Sequence, residues 1–108
     1  MTQIGTYRIL MMKGGEIMSS VHNIKGTKDR KPYGYDSWLD FWKAKSGQTA
    51  SLCQNTKCTK KCEVGAHVQK DGANEKHWYI TPLCKGCNSL TTPFTVPDSS
   101  LVRVTDND

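Results

Sequence analysis

Five cysteines are the residues of this 108-residue chain whose type and spacing most clearly point to chemistry. Cys53-x4-Cys58 lies in a loop of Gln, Asn, Thr and Lys, and Cys84-x2-Cys87 sits where a strand ends and a short helix can begin. Two such pairs make a four-thiolate tetrahedral site for a zinc ion, because a closed sulfur set suits a structural metal with no open position. Cys62 directly precedes an apolar stretch and is only five positions before His67, which leaves it almost no chain in which to turn from a knuckle into a strand. The expected ligands are therefore Cys53, Cys58, Cys84 and Cys87, with Cys62 as a small, partly buried thiol. A set using Cys58-x3-Cys62, with Cys53 free, is the alternative. Iron can use the same four sulfurs. A redox pair at Cys84 and Cys87 would require a βαβ setting that the chain does not offer.

The elements around these cysteines follow from local pattern. "YDSWLDFWKAKSG" reads as a short amphipathic helix, with Asp36 or Ser37 as N-cap, Asp40 in the first turn, Lys43 and Lys45 in the last, and Gly47 as the stop. Trp38 and Trp42, with Leu39 and Phe41, give it a broad apolar face expected to cover the metal-bound half of the domain. "CEVGAHV" and "HWYIT" are rich in β-formers and are joined through Asp71-Gly72, a strong turn signal. Knuckle, hairpin and short helix in that order make a treble clef. The expected fold is thus a small α+β zinc-stapled domain of residues 35–104, with the helix packed on it. "PFTVP" and "LVRV" are expected to add one short strand, and residues 105–108 to fray.

Outside the domain the chain is less patterned. Residues 1–17 carry no sustained period and read as a disordered extension. Lys13-Gly14-Gly15-Glu16-Ile17-Met18 can be encoded with a ribosome-binding sequence ahead of Met18, so translation from Met18 is one expectation and from Met1 the other. Residues 18–34 are polar, basic and punctuated by Gly and Pro, which fits a basic extended arm. Lys25, Lys28, Arg30 and Lys31 can meet phosphates there, although no aromatic side chain is interleaved among them for stacking on bases. His22 reads as an ordinary surface residue.

The formal charge is +5, with nine Lys/Arg against three acids in residues 18–61 and four against six in residues 62–108. Four thiolates on one divalent zinc lower the net charge to +3, since −4 and +2 are added. A balance this mild permits contact with nucleic acid without requiring it. No secretory pattern is visible and no apolar run is long enough to span a bilayer. A cytoplasmic monomer without membrane contact is expected.

The knuckle, the strand ending in "GAHV" and the strand-to-helix "PLCKGCN" resemble, over about residues 52–91, the HNH or ββα-metal (His-Me finger) endonucleases in their zinc-bearing form. The resemblance implies that His67 is the general base that activates water and that Asn88, directly after the last cysteine, holds a catalytic Mg2+ or Mn2+. It also implies hydrolysis of phosphodiester bonds in nucleic acid. A histidine titrating near neutrality suits such a base. Most members resembling this pattern carry Asp or His before the base as a further metal ligand, where this chain has Ala66; some use a single Asn with phosphate and water. The asparagine that braces the family's hairpin loop has only a loose counterpart in Asn74, and His77 stands nearer that place. Two functions of different class follow: a metal-dependent endonuclease, or a catalytically inactive zinc-stapled module that binds nucleic acid or protein.

Overall fold

The structure is a computed structural model that describes residues 16–27, 30–72 and 76–108. Most of the extension expected over residues 1–17 lies outside the described residues, as do Lys28 and Asn74. The described chain forms a small α+β domain built on a five-stranded antiparallel sheet in the order β4-β1-β2-β3-β5. Its strands are β1 (Met18–Asn23), β2 (Val64–Lys70), β3 (Trp78–Leu83), β4 (Phe94–Pro97) and β5 (Val102–Val104). Two helices, α1 (Trp38–Ser46) and α2 (Lys85–Asn88), accompany them. No helix among the described residues is long and apolar enough to cross a membrane.

The segment at 18–34, expected as an arm, begins as part of the sheet. β1 lies between β4 and β2, with Val21 opposite Phe94 on one side and Lys70 on the other. Val21 is fully buried. The tail segments likewise give two strands where one was expected, β4 on one edge and β5 on the other.

α1 forms as its caps dictate. The Ser37 side chain accepts a hydrogen bond from the Asp40 backbone N–H at 3.0 Å, satisfying one of the donors a helix start leaves free. Gly47 closes the helix at φ 70°, donating to the Lys43 carbonyl, a left-handed conformation that costs glycine little. The helix approaches β2 closely at Gly65, where a Cβ would stand 2.6 Å from the Leu39 nitrogen and the Trp38 carbonyl carbon. Only a residue without a side chain permits that contact.

Side chains alternate across a strand, so the sheet divides the interior in two. Trp38, Phe41 and Trp42 pack with Ile80 and Val104 on one face. Val21, Ala66, Val68, Leu83, Phe94 and Val96 pack with Cys53, Cys84 and Cys87 on the other. This corrects the expected placement of α1: its apolar stripe covers the face away from the cysteines.

Candidate metal centre and groove

The cysteine cluster is built from two backbone turns brought against the end of β3. Leu52 and Lys61 form an isolated antiparallel bridge, Cys53 N–H donates to Lys60 O at 2.8 Å and Cys58 N–H to Asn55 O at 2.9 Å, which fold residues 52–61 into a tight loop. Gln54 N–H donates to Pro82 O at 2.9 Å and ties that loop to β3. On the other side, Cys84 caps α2, its Sγ accepting from Cys87 N–H at 3.4 Å, and Glu63 Oε2 accepts from Lys85 N–H at 3.0 Å.

The outcome is that the Sγ atoms of Cys53, Cys58, Cys84 and Cys87 all lie within 4.8 Å of one another, three of the four residues being buried. A zinc–sulfur bond of about 2.3 Å in a regular tetrahedron puts sulfurs roughly 3.8 Å apart. Cys58 Sγ and Cys84 Sγ are 3.8 Å apart. The four sulfurs thus have the number, closeness and donor type to hold a metal ion. Cys62 lies outside the cluster, half-buried just ahead of β2.

Electrostatics at the cluster links metal binding to the protonation of the sulfurs. Burial pushes the Cys53 thiol up to about 12 and raises Cys87. Cys84 moves down to about 7, chiefly through the Cys87 backbone N–H that it accepts. Cys53 and Cys87 therefore shed their protons when a positive ion replaces them, so metal uptake would be coupled to proton release. Asn55, buried in the knuckle, donates from Nδ2 to Cys87 Sγ at 3.4 Å and accepts from Lys57 N–H at 3.1 Å. Sequence reasoning missed this outer partner. Its signal was an amide side chain within the Cys53-x4-Cys58 loop, which can donate to sulfur while its oxygen holds the turn.

His67 and Asn88 both line an open groove of about 940 Å³, together with His22, Asn23, Lys25 and Trp38. They reach it differently. Asn88 is exposed at the end of α2. His67, in the middle of β2, is only 6 % exposed and lies edge-on to Trp38 and Trp78, with ring centroids 4.6 and 5.7 Å away. Its Nε2 is buried and has no hydrogen-bond partner among the described residues. Burial, helped by the positive charge of Arg30, lowers its pKa to about 4. The expectation of a histidine titrating near neutrality is therefore corrected: enclosure by apolar rings disfavours the charged imidazolium. Ala66 is buried in the cysteine-face core and offers no ligand atom.

Two further residues order the groove. Asn23 Nδ2 donates to the Cys87 carbonyl at 3.0 Å and the Leu90 carbonyl at 2.9 Å, which ties the end of β1 to the end of α2. His22 is more than an isolated surface residue, since its Nδ1 lies 2.6 Å from Asp71 Oδ1 while Asp71 Oδ2 accepts from Ser20 Oγ at 2.7 Å. His77 is half-buried ahead of β3 and belongs to a different cavity.

Comparison of the chain with protein-family models, curated proteins and solved structures finds no match.

Proposed function

We propose that this chain is a zinc-stapled module of treble-clef type that binds nucleic acid without cleaving it. The observation that carries the reading is the closed set of four sulfurs, all within 4.8 Å, at the junction of knuckle, hairpin and α2. Zinc is the metal that fits it, because a four-sulfur tetrahedral site without an open position suits a redox-inert structural ion. The order knuckle, β2–β3 hairpin, α2 supports the treble-clef assignment, with the other strands as additions to it. The positive balance, +3 with zinc bound to four thiolates, is mild but compatible with a polyanionic partner. Elemental analysis of protein purified without added metal tests the staple: one zinc per chain is expected, and one iron with visible thiolate-to-iron absorption would overturn the assignment.

A metal-dependent endonuclease is the second reading, favoured by the groove that His67 and Asn88 share. There Asn88 would hold Mg2+ or Mn2+, which stabilises charge on the phosphate, and His67 would take a proton from water. The geometry favours the binding module instead. A buried imidazole with a pKa of about 4 is neutral at pH 7 yet a weak base, and Ala66 adds no ligand. Incubating the zinc-loaded protein with supercoiled DNA and with RNA, in the presence of each ion, separates the two. Cleavage abolished by Asn88→Ala, with zinc content and fold unchanged, would establish the nuclease.

A further inference from the structure

The second cavity, about 520 Å³, lies beside the β3–β5 edge and is lined by Arg30, Lys76, His77, Trp78, Arg103 and Asp106, with Val104 and Thr105 completing it. Three permanent cations thus converge on one concavity whose lining holds a single carboxylate among the described residues. None of the three has an ion-pair partner among the described residues, where the pairs are His22–Asp71, Lys45–Asp108 and Lys70–Asp98. Arg30, Lys76 and Arg103 are exposed, while His77 and Trp78 are half-buried. Like charges gathered this way repel, and an anion drawn among them relieves that repulsion.

The Arg30 guanidinium is held in place, and the backbone that carries the other two cations is anchored. Arg30 carries its guanidinium 5.1 Å from the centre of the Trp78 ring, and its backbone carbonyl accepts from Trp38 Nε1 at 2.8 Å. Arg103 is fixed in β5 by its register opposite Tyr79. The Lys76 carbonyl accepts from Gln69 Nε2 at 3.0 Å. A guanidinium already placed over the Trp78 ring loses less freedom when it binds.

We infer that this cavity is the phosphate-binding site for a polynucleotide strand, with Arg30, Lys76 and Arg103 as the phosphate contacts and Trp78 as the aromatic surface beside them. The inference rests on the nucleic-acid-binding reading above and adds where the contact is made. The guanidinium fork matches phosphate geometry, and a cationic groove with an aromatic ring is the arrangement that follows a sugar–phosphate backbone. In the sequence no aromatic residue is interleaved among Lys25, Lys28, Arg30 and Lys31. The fold supplies one by bringing Trp78 from β3 under Arg30.

The test is fluorescence anisotropy of the full-length, zinc-loaded chain with labelled single-stranded DNA and RNA oligonucleotides at 50 to 200 mM salt. Three phosphate contacts on a single strand give a log–log salt slope of about −2. Arg30→Gln with Arg103→Gln is expected to weaken binding at least roughly tenfold at the lowest salt and to reduce the slope by about 0.7 for each cation removed. Lys60→Gln, in the knuckle and away from this cavity, is expected to bind as wild type does. Zinc content and amide dispersion serve as fold controls for each variant. Binding that survives the double change but is lost with Lys25→Gln would overturn the assignment of this cavity and leave the nucleic-acid reading standing. Failure of the wild type to bind any oligonucleotide would overturn both. Competition by polyglutamate as effective as that by the oligonucleotide would overturn the polynucleotide assignment.

Discussion

On one face of the sheet, Trp38, Phe41 and Trp42 from α1 close over Ile80 and Val104; on the other, Val21, Ala66, Val68 and Leu83 pack beside four sulfurs. The first face has a nine-residue helix with both ends capped, and large aromatic rings supply the buried area. The second has only the four-residue α2, too short to hold itself by backbone hydrogen bonds, and two turns that meet at the cysteines. The aromatic face is assembled by burial alone, whereas the cysteine face adds to its buried apolar residues four sulfurs that a cation could join. A domain of this size has little stability to spare, so each face is expected to fail in its own way.

The largest expected effect is on the cysteine face. Cys84→Ser places a poorer ligand at the start of α2, and because a structural zinc contributes on the order of 10 to 16 kcal/mol of apparent binding energy, losing it should unfold the domain. Metal content and amide dispersion should fall together. A folded Cys84→Ser protein without metal would show that burial alone joins this face.

Next is Trp42→Ala on the aromatic face. Trp42 is 2 % exposed and donates from Nε1 to the Ser100 carbonyl at 2.8 Å, so the truncation removes packing and a buried hydrogen bond. A cost of roughly 3 to 5 kcal/mol is expected in chemical denaturation of the metal-loaded protein. The molecules that remain folded should keep a full complement of metal. Loss of metal in that folded population would mean the two faces are one cooperative unit.

His67 provides a smaller effect that depends on pH. Its folded pKa, about 4, is below the ordinary 6.5, so the unfolded chain binds the proton more readily. The stability associated with the neutral ring is complete above pH 6.5 and is lost as pH falls toward 4, by up to about 3 kcal/mol. The ring resonances of His67 should show no protonation down to pH 5. A midpoint near 6.5 would contradict its enclosure by Trp38 and Trp78.

The smallest change is expected from Cys62→Ala. Cys62 is half-buried and outside the cluster, so metal content should be unchanged and stability altered by less than about 1 kcal/mol. A variant that loses its metal would move Cys62 into the ligand set.

What the sequence made legible was local. Ser37 and Gly47 act through their immediate neighbours, and Asp71-Gly72 places the hairpin turn, so composition sufficed for α1 and for the β2–β3 pair. Cysteine spacing likewise pointed to the four sulfurs that come together. β1 was not legible, because its two buried positions, Met18 and Val21, are three residues apart and do not alternate. Only the pairing with β2 and β4 makes that segment a strand. The face taken by α1 depends on Gly65 admitting the helix against β2, a long-range contact that helical periodicity does not encode. For His67 the residue type suggested a base, but its environment is set by Trp38 and Trp78, which come from other elements. Asn23 and Asn55 were missed for the same reason: their partners are carbonyls and a sulfur distant in sequence.

The most direct test of the account is removal of the metal from the wild-type protein with a strong chelator, following released metal and the amide spectrum in parallel. The account predicts one zinc released per chain, loss of amide dispersion in step with that release, and recovery of both when zinc is returned under reducing conditions. A metal-free protein that keeps a fully dispersed spectrum would contradict it.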